Sequence, residues 1–562
     1  MMQTTPISAK NAINQQHIQF TQPQQSTSFR NAQVEKTKQE ASPSPFNPLT
    51  LDGGAFKKKL EAVIGPTRVG ANTVQLDHLR TTNKLPVTSF CSTLENSFVE
   101  NISSYFSNNK KGVVIDHKAQ VFSRAILSEN EQANASRSII NTANRLSLIT
   151  TYAINIIPKG NLSPTLKAML DGISARQEDD NFTFVLAYNK SKGVQNWFLG
   201  KKRTEATQKV DKDNPGNNPW LKAISIYNKL DGVTPISNLK ANVILVGLNP
   251  SGPAGSHHSK VLVNDNGVLG VTGASLAHLS KENQIDSGVL LSSQHLAAQE
   301  LDYFANETLK YASAISKVRV QNEDIGLEKL NISSFQKEFN ESRAVSESLN
   351  HRSLELSQAI EEEFGVHRNK VPVVLLHNKP SANLAAHLTN KMTDKPIGVA
   401  LSQLFNTAEK GDVMKIRNQF LGGDARKLII SALAKGVDVK ILAVYQREQK
   451  KNQEALFKEI EQANLGTEAG KISFISPNPH EAFESEHNLS MKVKYDHAKT
   501  YILEKGDKNI ILSGTYNLDD QSIYRSSESA ILIETNDNAL KNSLFDELWE
   551  ASTASILSRD TL

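Results

Sequence analysis

Cysteine is almost absent from this chain of 562 residues: there is one thiol, Cys91. That count excludes a disulfide scaffold, a cysteine-type zinc finger and an iron–sulfur cluster held within one chain. A lone thiol suits synthesis in a reducing cytosol. A dominant charge is missing too, since 63 basic residues face 59 acidic ones for a formal net charge of +4. Composition therefore does not mark a dedicated nucleic-acid binder. Long apolar runs are lacking. The longest, such as Ala241-Asn242-Val243-Ile244-Leu245-Val246-Gly247-Leu248, are strand-sized, far below the ~18 residues of a membrane-spanning helix. Met1 to Ala9 lacks a basic region followed by an apolar core, so no signal peptide is expected. Ser558 to Leu562 carries no prenylation box. Export would need a signal-peptide-independent route, and peripheral membrane contact stays open. Among phosphate and acyl motifs, P-loop, GxGxxG and GxSxG are all missing, which leaves NTPase, dinucleotide and serine-hydrolase readings without support.

What is present is a globular composition, 38% hydrophobic and 22% charged, with room for two to four domains. Residues 1–80 open on a Gln-, Ser-, Thr-, Asn- and Pro-rich stretch (Thr21-Gln22-Pro23-Gln24-Gln25-Ser26). It cannot bury enough apolar surface to offset chain entropy, so it is expected to be disordered. It is either a solvated tail or a targeting segment of an exported effector. The remainder reads as a diverged repeat of α/β units. A helical pattern over Leu166–Ser174 precedes the strand Asn181–Tyr188. Another over Arg426–Lys435, stopped by Gly436, precedes the strand Val437–Tyr445. Helix Trp220–Lys229 leads to strand Val243–Val246, and helix Glu454–Ala463 to strand Ile472–Ile475. Both strands then run into proline-containing loops. The organisation expected is a first domain over 81–300, a helical connector over 301–365 and a second domain over 366–562. Each domain should be a mixed β-sheet flanked by helices, the two pseudo-symmetric, in one α/β protein.

After each proline-containing loop the same pattern recurs. The first copy is His258-Ser259-Lys260 with Asp265 five residues on. The second is His497-Ala498-Lys499 with Glu504 five residues on. Both stand on apolar β-type runs, where a period of two puts His and Lys on one face and the acid on the other, bracing the hairpin. Histidines and lysines are each 239 residues apart. Downstream lie Thr272-Gly273-Ala274-Ser275 and Gly514-Thr515-Tyr516-Asn517, offset from their histidines by 17 and 20 residues at Ser275 and Asn517, so the second hairpin is longer by three. Eleven residues past each comes an acid, Asp286 and Glu528, followed by Val289-Leu290-Leu291 and Ala530-Ile531-Leu532-Ile533.

Such residues suit an anionic phosphodiester. Two lysines with Ser275, Thr515 and Asn517 can stabilise the equatorial oxygens. One imidazole can attack phosphorus while the other protonates the leaving alcohol and then activates water. Asp286 and Glu528, at their equal offset, are expected to hold the Nδ1–H of the histidine in their own half, Asp286 on His258 and Glu528 on His497. The two halves then share one site, without metal or other cofactor.

These copies resemble the HxK(x)4D…GSxN motifs of the phospholipase D superfamily, over roughly Val113 to the C-terminus. His497 to Asn517, with Leu518-Asp519 and Ser522, is similar to bacterial phospholipase D and cardiolipin-synthase types. Glu504 stands for the usual Asp, Ser275 for Asn, and Gly273 where Ser is frequent. The resemblance implies His258 as nucleophile and His497 as acid. It also implies a metal-independent hydrolase of lipid metabolism, acting on a phospholipid through a phosphohistidine. The alternatives are a nuclease of the same superfamily, with nucleic acid as substrate, and a weakened lipid- or nucleic-acid-binding protein. With both motifs in one chain, a monomer is expected.

Other signals carry less. His257-His258 lack HExxH spacing and a cysteine partner for a metal, and His480-Glu481 lack a histidine at 484. His78, His117, His278, His377 and His387 read as core or surface residues. The insert Val194–Asn218, with Trp197-Phe198 and Lys201-Lys202-Arg203, followed by Trp220, could meet a lipid headgroup layer, stack bases, or pack its tryptophan on the core.

Overall fold

Alternating side chains are the organising device of this molecule. The computed structural model describes residues 97–560 except 107–111, 153–161, 190–217, 251–255, 277–283, 323, 349–359, 362–363, 366–369, 381–391, 444–449, 478–494, 520–521 and 523–525. The tail over 1–80, Cys91 and the aromatic–basic insert with Trp197, Phe198 and Lys201 to Arg203 lie outside the described residues. The strands of the first half are β1 Val113–Val121, β2 Leu146–Thr151, β3 Thr183–Asn189, β4 Asn242–Leu248, β5 Val261–Asn264, β6 Val268–Thr272, β7 Gln284–Ile285 and β8 Gly288–Ser292. A hairpin, β9 Ala312–Gln321 and β10 Asp324–Lys329, follows. The second half holds β11 Lys370–Asn378, β12 Val413–Asn418, β13 Asp438–Leu442, β14 Ile472–Ile475, β15 Tyr495–Asp496, β16 Lys499–Lys505, β17 Lys508–Gly514 and β18 Glu528–Thr535.

Sixteen of these form one mixed sheet in the order β10-β9-β4-β3-β2-β5-β6-β8-β1-β11-β18-β17-β16-β12-β13-β14. Apart from β9 and β10, which have no counterpart, the order is palindromic about the antiparallel pair β1–β11, which runs from Val113 opposite Leu376 to Gln120 opposite Lys370. On either side lie an antiparallel trio and a parallel trio: β2-β3-β4 in one half, β12-β13-β14 in the other. The two halves are thus joined strand to strand in one continuous sheet.

Parallel strands need crossovers, and the helices Pro164–Ala175, Pro219–Tyr227, Gly423–Ala434 and Lys450–Ala463 supply them. Ser163 and Asn218 cap the first two, their side chains accepting from Leu166 N and Trp220 N. Both sheet faces are covered, so the inner strands are apolar on both sides. Leu146, Leu148, Val185, Ala187, Ile244 and Val246 point to one core, shared with Ile502, Ile511 and Ile531 of the other half. Ile149, Phe184, Leu186, Val243 and Leu245 point to the opposite core under the first-half helices. Trp220 belongs to that core, fully buried and stacked on Phe184 at 6.3 Å.

The expected helical connector over 301–365 is only partly helical. It contains the β9–β10 hairpin, which extends the sheet beside β4, before the helix Ile332–Ser348. Val318 and Val320 alternate along β9 into the core, so the segment buries a strand face despite its charge. Among the described residues no helix is long and apolar enough to cross a membrane.

Candidate active site

Both HxK motifs end at the seam between the halves, and short bridges decide what each one meets. β15, just before His497, pairs in parallel with β7, just before Asp286: Tyr495 lies opposite Gln284 and Asp496 opposite Ile285. His257 makes the matching bridge to Ser527, just before Glu528. The two backbones then repeat one bond, His497 N to Ile285 O at 2.9 Å and His258 N to Ser527 O at 3.0 Å. A further link, between the Ser256 and Ser526 hydroxyls at 2.8 Å, ties the same two segments.

These bridges carry each carboxylate across to the other half. Glu528 meets Nδ1 of His258 at 2.8 Å, and Asp286 meets Nδ1 of His497 at 3.0 Å. The same-half pairing expected from the equal eleven-residue offset is therefore wrong. The offset is real, but each acid directly follows a residue bridged to the opposite motif, Ile285 to Asp496 and Ser527 to His257. The imidazoles keep 14% and 20% of their side-chain surface exposed, while the carboxylates keep 0% and 1%. Each ring is thus held from behind at Nδ1, leaving Nε2 as the nitrogen available for chemistry.

Burial dominates the electrostatics of the unliganded seam. It takes His497 down to about 3, helped by the Lys499 ammonium and opposed by Asp286. His258 is lowered for the same reason, against the pull of Glu528. Burial brings Lys260 down to about 7 and Lys499 to about 8, although Glu528 and Asp286 oppose it. Burial pushes the Asp286 carboxyl up, but Lys499 and His497 outweigh it and the net shift is downward. Lys499 also lowers His258, and Lys260 also lowers His497, so the two motifs share one field. Each lysine turns back on its own motif. Lys260 Nζ donates to His258 O at 2.7 Å. Lys499 Nζ donates to His497 O and lies 2.6 Å from His497 Nδ1.

The motif acids stay outside this centre. Asp265 accepts the backbone N–H groups of Asn144, Arg145 and Leu146 at 2.7, 2.7 and 2.9 Å, tying the hairpin to the start of β2. Glu504 takes Lys415 at 2.6 Å and Lys541 at 2.7 Å; burial pushes its carboxyl up, but the two ammoniums outweigh this and hold it low. Thr515, expected on phosphate, instead donates to Glu528 and accepts from Ser529 N at 3.0 Å. Ser275 and Asn517 are buried at the equivalent ends of their hairpins, and Asn517 Oδ1 makes no hydrogen bond among the described residues. Gly273 has a local reason: a Cβ there would lie 2.0 Å from Asp286 Oδ1. A serine at this position would displace the carboxylate that holds His497.

Three neighbours escaped the sequence reading. Tyr152, just past β2, sets its ring edge-to-face on His258 at 5.2 Å, with Lys260 Nζ 5.8 Å from its centroid. Lys395 is buried and donates to Lys379 O at 2.7 Å; burial lowers it to about 8 against the charge of Glu528. His377, read as a core or surface residue, is buried and bonds Ser529. A lone Tyr, Lys or His without repeat spacing gave no signal. Among the described residues no group of three or more His, Cys, Asp or Glu is placed to hold a metal ion.

Residues 402–549 match the family model described as cardiolipin synthase, PLD-like domain. The matched segment carries the second HxK motif, His497 and Lys499, and is a PLD-like domain within the chain. Among curated proteins nothing matches the chain. Among solved structures it is similar to phosphatidylserine synthase from Haemophilus influenzae Rd KW20, at 12% identity and TM-score 0.44, covering 80% of this chain and 89% of that one. It is also similar to polyphosphate kinase from Porphyromonas gingivalis (9% identity, TM-score 0.34, 74% and 44% covered) and to NucT from Helicobacter pylori (15%, 0.21, 28% and 90%).

Proposed function

We propose that the chain is a phosphodiesterase of the phospholipase D type that hydrolyses or transfers the phosphatidyl group of a phospholipid through a phosphohistidine. The observation that carries this reading is the crossed arrangement: two largely buried imidazoles at one seam, each fixed at Nδ1 by a buried carboxylate of the other half, with two buried lysines beside them. Nε2 of His258, neutral and lone-pair-bearing, attacks phosphorus, and the bond from phosphorus to the alcohol oxygen breaks. His497 gives its Nε2 proton to that oxygen. Water or a second alcohol then attacks the phosphohistidine, His497 takes up its proton, and the phosphorus–nitrogen bond breaks. A bound phosphodiester anion favours the proton on His497 that the empty site disfavours. It also draws Lys499 off the imidazole, which frees Nδ1–H for Asp286.

The test offers mixed phospholipid vesicles and single- and double-stranded DNA, with chelator present throughout. Release of headgroup alcohol from the vesicles is expected. Cleavage of DNA with intact lipid would replace this reading by the nuclease, and binding without turnover by the weakened binding protein. With an active substrate, His258→Ala should abolish the covalent phosphoenzyme. His497→Ala should slow turnover by ~10²–10⁴-fold, the weight of a positioned general acid, and a p-nitrophenyl leaving group should partly rescue it. Phosphate trapped on His497 would reverse the two roles.

A further inference from the structure

We propose that His377 is a positioning residue of the site and that it serves the first-half histidine, His258, alone. Its kinetic readout rests on the phosphodiesterase reading; its structural readout does not. His377 ends β11 and is buried, its ring stacked on Tyr303 with centroids 4.0 Å apart and 10° between planes. Nε2 lies 2.8 Å from Glu300 Oε2 as an ion-pair contact without hydrogen-bond geometry, and Nδ1 is joined to Ser529 Oγ at 2.9 Å. Ser529 Oγ is joined in turn to Ser259 Oγ. With the ring proton on Nε2, the nitrogen beside the Glu300 carboxylate, Nδ1 accepts from Ser529, and Ser529 accepts from Ser259. Both partners sit beside the reacting pair: Ser259 follows His258, and Ser529 follows Glu528. Ser529 N–H also bonds Thr515 Oγ1, whose hydroxyl donates to Glu528. One imidazole thus pins both sides of the His258–Glu528 contact.

The second half is built differently. Ala498 replaces Ser259 in its motif, and Ser287 Oγ, the counterpart of Ser529, accepts from Lys499 N at 3.1 Å. The ground behind the motif also differs. β12 and β2 align so that Arg417 matches Thr150, and the 239-residue spacing matches Asp496 to His257. Arg417 and Asp496 fill their place with a buried ion pair at 2.9 Å. Thr150 and His257 instead line an open pocket, which His377, Tyr303 and Glu528 also line. His257 Nε2 and Asn378 Nδ2, both in its wall, make no hydrogen bond among the described residues. Beside this pocket, whose wall Ser529 and Ser259 help to form, the two hydroxyls have room to turn once the imidazole is gone.

The experiment compares the parent with His377→Ala and His377→Asn, whose amide can stand in for Nδ1 toward Ser529 but cannot reach Glu300. The structural readout is the downfield ring N–H signal of each site histidine by proton NMR, identified by its loss in His258→Gln and in His497→Gln. His377→Ala should broaden or remove the His258 signal and leave the His497 signal in place, and His377→Asn should restore it. With a turned-over phosphodiester, His377→Ala should lower kcat about tenfold with KM nearly unchanged, the low end of what outer partners of functional histidines carry in metal sites. An unchanged His258 signal in His377→Ala overturns the proposal. So does joint loss of both signals, or equal damage in the two variants. If the parent turns over no phosphodiester, the functional reading fails and the NMR comparison still decides this one.

Discussion

At His258 and His497 the chemistry belongs to whichever group holds Nδ1, and that group comes from the other half. The crossed pairs predict where coupling energy lies. In double-mutant cycles read by thermal unfolding, Glu528→Gln with His258→Asn, and Asp286→Asn with His497→Asn, should be non-additive by about 0.5–3 kcal/mol. The same-half combinations should add to within about 0.5 kcal/mol. Coupling within halves would mean that the carboxylates had changed places. The residue scale also sorts the acids by task. Asp265 and Glu504 share a motif position and neither reaches the site, because one stitches backbone N–H groups of the loop before β2 and the other two lysines.

A single glycine limits the strand ends around the site. Gly273 directly follows β6, and its missing Cβ leaves the space that Asp286 Oδ1 occupies, with Lys499 Cδ 3.3 Å from the same point. Gly273→Ala should therefore overpack this junction, at about 1–3 kcal/mol. It should cost activity beyond that, because the displaced group is the carboxylate holding His497. The check is melting temperature against kcat: a variant with parental turnover and a lowered melting point would show that Asp286 tolerates the shift. The hairpins themselves are local. Their turns carry Gly267 and Gly506 at φ 87° and 62°, a region that glycine enters without the Cβ penalty.

For the whole molecule, burying lysines at one seam makes stability depend on pH. Lys260, Lys499 and Lys395 are lowered from the ordinary 10.5 to about 7, 8 and 8 by burial. Between those values and 10.5 the unfolded chain binds more protons than the folded one, so these groups make the unliganded protein more stable as pH rises through that window. Anion binding runs the opposite way, since a phosphate or vanadate ion needs the charged ammoniums and should bind more weakly above pH ~8. Denaturant midpoints at pH 6.5 and 9, with and without vanadate, check both. A midpoint that falls with pH in the absence of anion would contradict the buried-lysine account.

The sequence by itself was enough for everything that depends on period and spacing. The α/β repeat, the strands Thr183–Asn189 and Ile472–Ile475, the helices before β3 and β13 and the paired HxK motifs all follow from local pattern. Side-chain alternation and helix signals act over a few residues, and two diverged copies reinforce each other. Where one copy has no counterpart the pattern failed: β9–β10 hides in a charged segment taken for helix, and His377 and Lys395 repeat nothing. Only the tertiary structure decided which carboxylate meets which histidine. The eleven-residue offset measures distance along a chain, whereas the partner is chosen by the bridges of β15 to β7 and of His257 to Ser527 across the seam. Those bridges join residues more than 200 positions apart, and no local preference of either segment specifies them.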